Sequence, residues 1–165
     1  EQLVAPHGVR IQHTKTSTAA LMAAASESGV GFAASGDGGF ILNLGELATL
    51  VQERCDCLIV LMNDKGYGVI KNIQDAQYGG RRAYVELHTP DYAQLCASLA
   101  LPHARVSNLA DLPGQLAGAL KARGPFMLEI DMLSIGSFKT TFAGPPVNKL
   151  NQIPALDPSV ASSAA

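Results

Sequence analysis

Apolar and polar positions along this 165-residue chain fall into two alternating periods. Val9-Arg10-Ile11-Gln12-His13 alternates strictly and predicts a short strand. An alanine-rich helix over 19–26 follows, with Thr16 or Ser17 placed to cap it. A helical pattern runs from Leu44 to about Arg54. Leu58-Ile59-Val60-Leu61-Met62 is an unbroken apolar run, too short for a second helix and suited to a strand buried on both faces. Residues 72–84 read as a short helix and then a mobile loop through Gly79-Gly80-Arg81-Arg82, whose arginines suit a solvated or subunit-contact surface. Thr89-Pro90-Asp91 opens another helix, with Thr89 as cap and Pro90 at the first helical position. That helix carries Tyr92, Leu95, Cys96 and Leu99 on one face. Leu112, Leu116 and Leu120 mark an amphipathic helix stopped at Gly124. The pattern predicts a three-layer α/β domain over 1–132 with a central parallel sheet, its strands near 9–13, 58–62, 103–107 and 126–131. From Leu133 periodicity stops, and Pro145-Pro146 and the Ser/Ala-rich end read as a tail, 133–165, that packs on a partner or is disordered.

Composition narrows the class. The chain is 47% hydrophobic and 16% charged, enough apolar content for one domain with a sizeable core. A net charge of −2 with mixed signs gives no footprint for nucleic acid or an acidic membrane surface. The apolar runs fall short of the roughly 20 residues that span a bilayer, and no charged-then-apolar signal segment opens the sequence. Cys55, Cys57 and Cys96 are odd in number and lack zinc spacing, so they read as reduced, mostly buried thiols of a cytoplasmic protein. The four histidines share no metal-ligand spacing and read as surface or turn residues; His13, beside the hydroxyls of residues 14–18, is the first to examine.

Chemistry concentrates between Ser35 and Lys71. Gly36-Asp37-Gly38 is a carboxylate flanked by glycines, and Asn63-Asp64 closes the apolar run before Gly66 and Gly68. In a parallel sheet the ends of neighbouring strands lie side by side, so Asp37 and Asp64 can meet at one edge. Hard oxygen ligands, glycines that let backbone approach a ligand, and a nearby helix N-terminus suit a magnesium–diphosphate group. Taken singly, Asp37 fits a helix cap or a loop turn, and Asp64 a solvated turn. The combination at this spacing favours the metal.

The stretch resembles the cofactor-binding motif of thiamine-diphosphate enzymes, in which GDG is followed by an Asn pair or Asn-Asp. Gly36-Asp37-Gly38 and Asn63-Asp64 carry the likeness, which covers roughly residues 9 to 132, and the following Tyr67-Gly68-Val69-Ile70-Lys71 also resembles the branch of acetolactate synthases and benzoylformate decarboxylases. The resemblance implies the thiamine-diphosphate-binding fold. It assigns magnesium to Asp37, Asp64 and the backbone carbonyl of Gly66, with Asn63 orienting the loop. Thr16 and Ser17 match a Ser/Thr cluster that binds the diphosphate. Gly36, Gly38 and Gly39 would let backbone N–H groups reach it, and Tyr67 could cover it.

Residues 28–33 read two ways: as the strand leading into Gly36, or as the family's glycine-rich segment, with Val30 wedging the cofactor into its bent shape. On the second reading a helix and strand usual in the family are missing near 33–35, either absent or lost to a gap in the sequence.

The implied reaction is attack of the thiazolium ylid on a 2-oxo acid, the ring taking up electrons as carbon dioxide leaves. The Glu that activates the ylid belongs to a pyrimidine-binding domain, which does not fit in this chain and would come from elsewhere in the same or another polypeptide. The expected function is therefore the diphosphate-binding half of a 2-oxo acid decarboxylase or carboligase, working in a homo- or hetero-oligomer. Two alternatives stay open: a separate subunit of the sulfopyruvate decarboxylase or oxo-acid oxidoreductase type, and a non-catalytic module that keeps the fold.

Overall fold

The computed structural model describes residues 31–136 and 144, and the backbone of 3–4 and 10–13. Its centre is a six-stranded sheet: β1 (Leu3–Val4), β2 (Arg10–His13), β3 (Gly31–Gly36), β4 (Cys57–Asn63), β5 (His103–Val106) and β6 (Phe126–Asp131), in the spatial order β1-β2-β3-β4-β6-β5. From β2 to β5 every neighbouring pair is parallel, and only β1 joins antiparallel at an edge. The expected α/β fold with a central parallel sheet is the one observed.

The apolar run 58–62 lies in the middle of the sheet, between β3 and β6. Successive side chains point to opposite faces, so β4 supplies two cores. Cys57, Ile59 and Leu61 join Met127 on one face and pack against Leu47 and Leu50 of α2 (Glu46–Gln52) and Tyr92 and Cys96 of α4 (Tyr92–Ser98). Leu58 joins Leu128, Ile130 and Val106 on the other, covered by Ala119 of α5 (Leu112–Lys121) and Met132 of α6 (Met132–Ile135). Helix–sheet–helix is the three-layer arrangement expected of a strand apolar on both sides.

Several local expectations shift. The segment 31–36 is a strand, the first of its two readings, and it fills the sheet position beside β4. Helical structure begins at Asp37 rather than Leu44, as α1 (Asp37–Phe40) and a 3-10 turn (Ile41–Asn43) that precede α2. Helix α3 (Gly68–Gln77) starts before Asn72 and is longer than expected. The cap of α4 is Asp91, not Thr89, because its carboxylate accepts from the Gln94 N–H at 3.0 Å, and Pro90 lies outside the helix. Leu120 is exposed while Ala119 is buried, so the inward stripe of α5 is set by Leu112, Leu116 and Ala119. Arg82 grips Asp75 through two hydrogen bonds at 2.8 and 2.6 Å, a local surface pair. Cys57 and Cys96 are buried and Cys55 half-buried, all as free thiols. The helix expected over 19–26, with Thr16, Ser17 and Val30, lies outside the described residues, as does the tail beyond Gly136 apart from Gly144. Among the described residues no helix is long and apolar enough to cross a membrane.

Candidate functional site

Open α/β sheets present ligands outside the carboxyl ends of their strands. Here β3 ends at Gly36 and β4 at Asn63, and the two strands are adjacent and in register, Gly36 opposite Met62. Asp37 and Asp64 are thereby delivered to one edge by two neighbouring strands.

Asp37 is the first residue of α1 and is fully buried. Its Oδ1 accepts from the Gly38 N–H at 2.8 Å, and its Oδ2 from the Gly66 N–H at 3.1 Å. The cap position belongs to Gly36, and Asp37 is the first helical residue, so its carboxylate does not occupy the cap position of α1. Burial first, then the charge of Asp64, push the Asp37 carboxyl up to about 6, and a hydrogen bond between the two carboxyl groups acts in the same direction. Two acids held this close repel each other when both are ionised. Such a pair is relieved by a shared proton or by a cation, and two carboxylates at one strand edge are hard oxygen donors of the kind a divalent metal takes.

The loop after β4 is held by its neighbours. Lys65 adopts a left-handed conformation, φ 52°. The Tyr67 N–H donates to Val85 O at 2.9 Å, and the Leu87 N–H donates to Lys65 O at 2.9 Å. Neither bond uses the Gly66 carbonyl. Lys71 Nζ reaches Asp64 O at 3.4 Å and pairs with Glu86 Oε2 at 3.0 Å. A Cβ added at Gly66 would meet the Val85 carbonyl at 2.5 Å, and one at Gly68 would meet Asp64 Oδ2 at 2.6 Å. Glycine at 66 is therefore a packing requirement of the loop, whereas a side chain at 68 would push the Asp64 carboxylate aside.

Tyr67 lies over Gly38: a Cβ there would meet its ring at 2.7 Å, and the residue remains 42% exposed. A Cβ added at Gly39 would meet Ser35 Oγ at 3.5 Å, and one at Gly36 would meet nothing. The structure thus brings together Gly36, Asp37, Gly38, Gly39, Asp64, Gly66 and Tyr67. Asn63 sits behind them, its amide Nδ2 donating to Glu129 Oε1 at 2.8 Å and its Oδ1 accepting from the Lys65 N–H at 3.3 Å.

Five residues of this region were not singled out for the site from the sequence. Glu129 is buried and also meets His103 Nε2 at 3.0 Å; Arg105 Nη2 donates to Asp131 Oδ2 at 2.7 Å. His103 is accordingly a strand residue engaged with a carboxylate, not a surface or turn residue. Tyr92 packs edge-on against Phe40 with ring centroids 5.9 Å apart. The signal for Glu129 was present in the sequence: a carboxylate inside the apolar strand 126–131, on the same alternating face as Met127.

Comparison with known proteins gives the same picture. Residues 5–130 match the family described as thiamine pyrophosphate enzyme, C-terminal TPP binding domain. The chain is 33% identical over 103 residues to acetolactate synthase 2, chloroplastic, of Brassica napus, covering 58% of this chain and 16% of that protein. It is 31% identical over 103 residues to acetolactate synthase, chloroplastic, of Arabidopsis thaliana, covering 58% and 15%. A probable acetolactate synthase large subunit of Methanocaldococcus jannaschii is 29% identical over 97 residues, covering 58% and 16%. The matched stretch is thus about a sixth of these relatives' length. A family match across most of the chain, on a parallel sheet that sets Asp37 beside Asp64, establishes that this chain belongs to the thiamine pyrophosphate enzymes as a C-terminal, TPP-binding domain.

Proposed function

We propose that the chain is the diphosphate-binding half of a thiamine-diphosphate-dependent 2-oxo acid decarboxylase or carboligase, like acetolactate synthase or benzoylformate decarboxylase. Asp37, Asp64 and the Gly66 carbonyl would hold magnesium, which would help neutralise the diphosphate charge. Thr16, Ser17 and the Gly39 N–H would bind the diphosphate, Gly38, whose N–H is engaged with Asp37 Oδ1, would line it, Gly36 would give it room, and Val30 would wedge the cofactor's bend. Asn63 orients the loop, and Tyr67 covers the site. The bound cofactor would supply the carbanion-stabilising chemistry. The residues of this chain bind it, orient it and neutralise its charge.

The observation that carries this reading is the buried Asp37 carboxyl beside Asp64, its proton affinity raised to about 6 and its two oxygens aimed by the N–H groups of Gly38 and Gly66. A module that kept the fold only for assembly would have no use for a fully buried acid set against a half-buried one, a pair that costs stability unless a cation or a shared proton offsets the repulsion. The pyrimidine-binding domain and the Glu that activates the cofactor would come from another domain or subunit. Exposed Leu42, Val69 and Ile70, with Tyr67, give this end of the sheet an apolar surface suited to such a neighbour. We assign the complete enzyme to an oligomer of the cytoplasm, acting on a 2-oxo acid.

The test is calorimetric titration of thiamine diphosphate, with and without magnesium, into protein supplied with its pyrimidine-binding domain. Magnesium-dependent binding is expected. Binding that ignores magnesium would remove the metal assignment, and absence of binding would remove the function.

A further inference from the structure

We propose that Glu129 is a positioning residue for the cofactor loop, acting through Asn63 from a strand that carries none of the proposed ligands. The inference rests on the function proposed above and adds to it a residue that touches neither metal nor cofactor.

The argument begins with sheet geometry. β6 inserts between β4 and β5, so Glu129 lies opposite Leu61 on one side and Arg105 on the other. Asn63, two residues beyond Leu61, shares its face, which places the amide diagonally across from the carboxylate. On this face the core is apolar below, with Ile59, Leu61 and Met127, and polar above, with Asn63 and Glu129.

A buried carboxylate needs partners, and Glu129 divides its two oxygens between them. Oε1 accepts from Asn63 Nδ2 at 2.8 Å, and Oε2 meets His103 Nε2 at 3.0 Å, with Arg105 Nε 3.9 Å from Oε1. The bond to Asn63 decides which way the amide faces: with Nδ2 committed to Glu129, Oδ1 is turned toward the Lys65 N–H, 3.3 Å away. Lys65 is the left-handed residue at which the chain bends between Asp64 and Gly66, and the next N–H, that of Gly66, donates to Asp37 Oδ2. A continuous series of contacts thus runs from Glu129 through Asn63 and the bend to Asp37, passing Asp64 on the way. Groups that hydrogen-bond to the supports of metal ligands set the ligands' orientation and alter affinity without touching the ion.

A merely structural Glu129 would hold β4, β6 and β5 together and nothing more. The two roles separate in one set of variants, studied in the full-length enzyme with the pyrimidine-binding domain present. Glu129→Gln keeps an oxygen acceptor for Asn63. Glu129→Asp keeps the charge but withdraws the carboxylate by one methylene, and Glu129→Ala removes it. The readouts are thiamine diphosphate affinity by calorimetry, the magnesium concentration at half-saturation, and the thermal midpoint of the metal-free protein.

We expect Glu129→Asp and Glu129→Ala to raise the magnesium requirement and weaken cofactor binding roughly 10–100-fold, the range for loss of such supporting contacts. Glu129→Gln should stay near the parent. Combining Glu129→Asp with Asn63→Ala should cost no more affinity than Asn63→Ala alone, because both changes break the same link. If Glu129→Ala does not fold, Glu129→Asp and the double variant decide the matter. Parental affinity in Glu129→Asp, with a lowered thermal midpoint and with Asp37→Ala impaired, would overturn the inference and leave the proposed function standing. Failure of the parent to bind thiamine diphosphate would overturn both.

Discussion

The backbone N–H of Gly66 donates to Asp37 Oδ2 at 3.1 Å. Twenty-nine residues and a whole helix–strand unit separate the two. The contact exists because β3 and β4 are parallel neighbours whose ends come level, and because the loop after β4 bends back at Lys65. It fixes the buried carboxylate from the side of the second acid, and the proposed metal site depends on it.

Asp37→Ala removes one anionic ligand and leaves the diphosphate charge less neutralised. Thiamine diphosphate affinity should fall at least tenfold, about 1.4 kcal/mol. Asp64→Asn keeps an oxygen ligand and should be milder. Magnesium-dependent calorimetry measures both, and parental affinity in Asp37→Ala would refute the ligand assignment.

The glycines should separate by what surrounds them. Gly36 has an extended backbone, φ −76° and ψ 156°, and open space around its Cβ position. Gly36→Ala should therefore change stability by less than about 0.5 kcal/mol while weakening cofactor binding, because the added methyl takes room we assign to the diphosphate. Gly66→Ala meets the Val85 carbonyl, which cannot move aside as a side chain can, and should cost about 1–3 kcal/mol of stability. Chemical denaturation alongside calorimetry distinguishes the two, and equal stability losses would contradict the packing argument.

Acid should release the network at the ends of β5 and β6. Burial alone would raise the carboxyls of Glu129 and Asp131. For Glu129, hydrogen bonds from His103 and Asn63 and the charge of Arg105 outweigh it. For Asp131, Ser134 and Arg105 do the same, so both stay below the usual carboxylate range. A carboxyl with a lower folded than unfolded pKa binds fewer protons when folded. The stability it contributes is present above the ordinary carboxylate range and is lost as pH falls through the folded value. Arg105→Gln should therefore shift acid unfolding to higher pH, followed by circular dichroism in magnesium-free buffer. An unchanged midpoint would show that Arg105 does not hold these acids ionised.

Tyr92 is almost wholly buried, and among the described residues its hydroxyl has no hydrogen-bond partner. The nearby charges of Asp37 and Glu129 add to burial in holding it neutral. Tyr92→Phe keeps the edge-on contact with Phe40 and removes the unpaired hydroxyl, so stability should rise by roughly 1 kcal/mol. A loss on denaturant titration would show that the hydroxyl is satisfied in solution.

The sequence by itself determined the fold class and the two acids. Leu58–Met62 is apolar at every position and too short for a buried helix, which leaves a strand covered on both faces. Glycines around Asp37 and Asn63-Asp64 at the end of that run mark strand ends, because backbone turns and close approaches need them there. These signals are local, and they survive in one dimension.

Tertiary structure decided what depends on strand order and on small differences between local options. Nothing in the residues 103–131 says that β6 lies inside β5, yet that order alone places Glu129 within reach of Asn63. His103 looked like a turn histidine, because a histidine beside a proline carries no mark of the carboxylate it will meet. Thr89 and Asp91 were both competent caps, and the choice fell to whichever oxygen could reach the Gln94 N–H once α4 had docked its Tyr92 and Cys96 face. A pairing across 66 residues costs chain entropy that only the assembled core offsets, so it is settled by packing and not by any stretch of sequence.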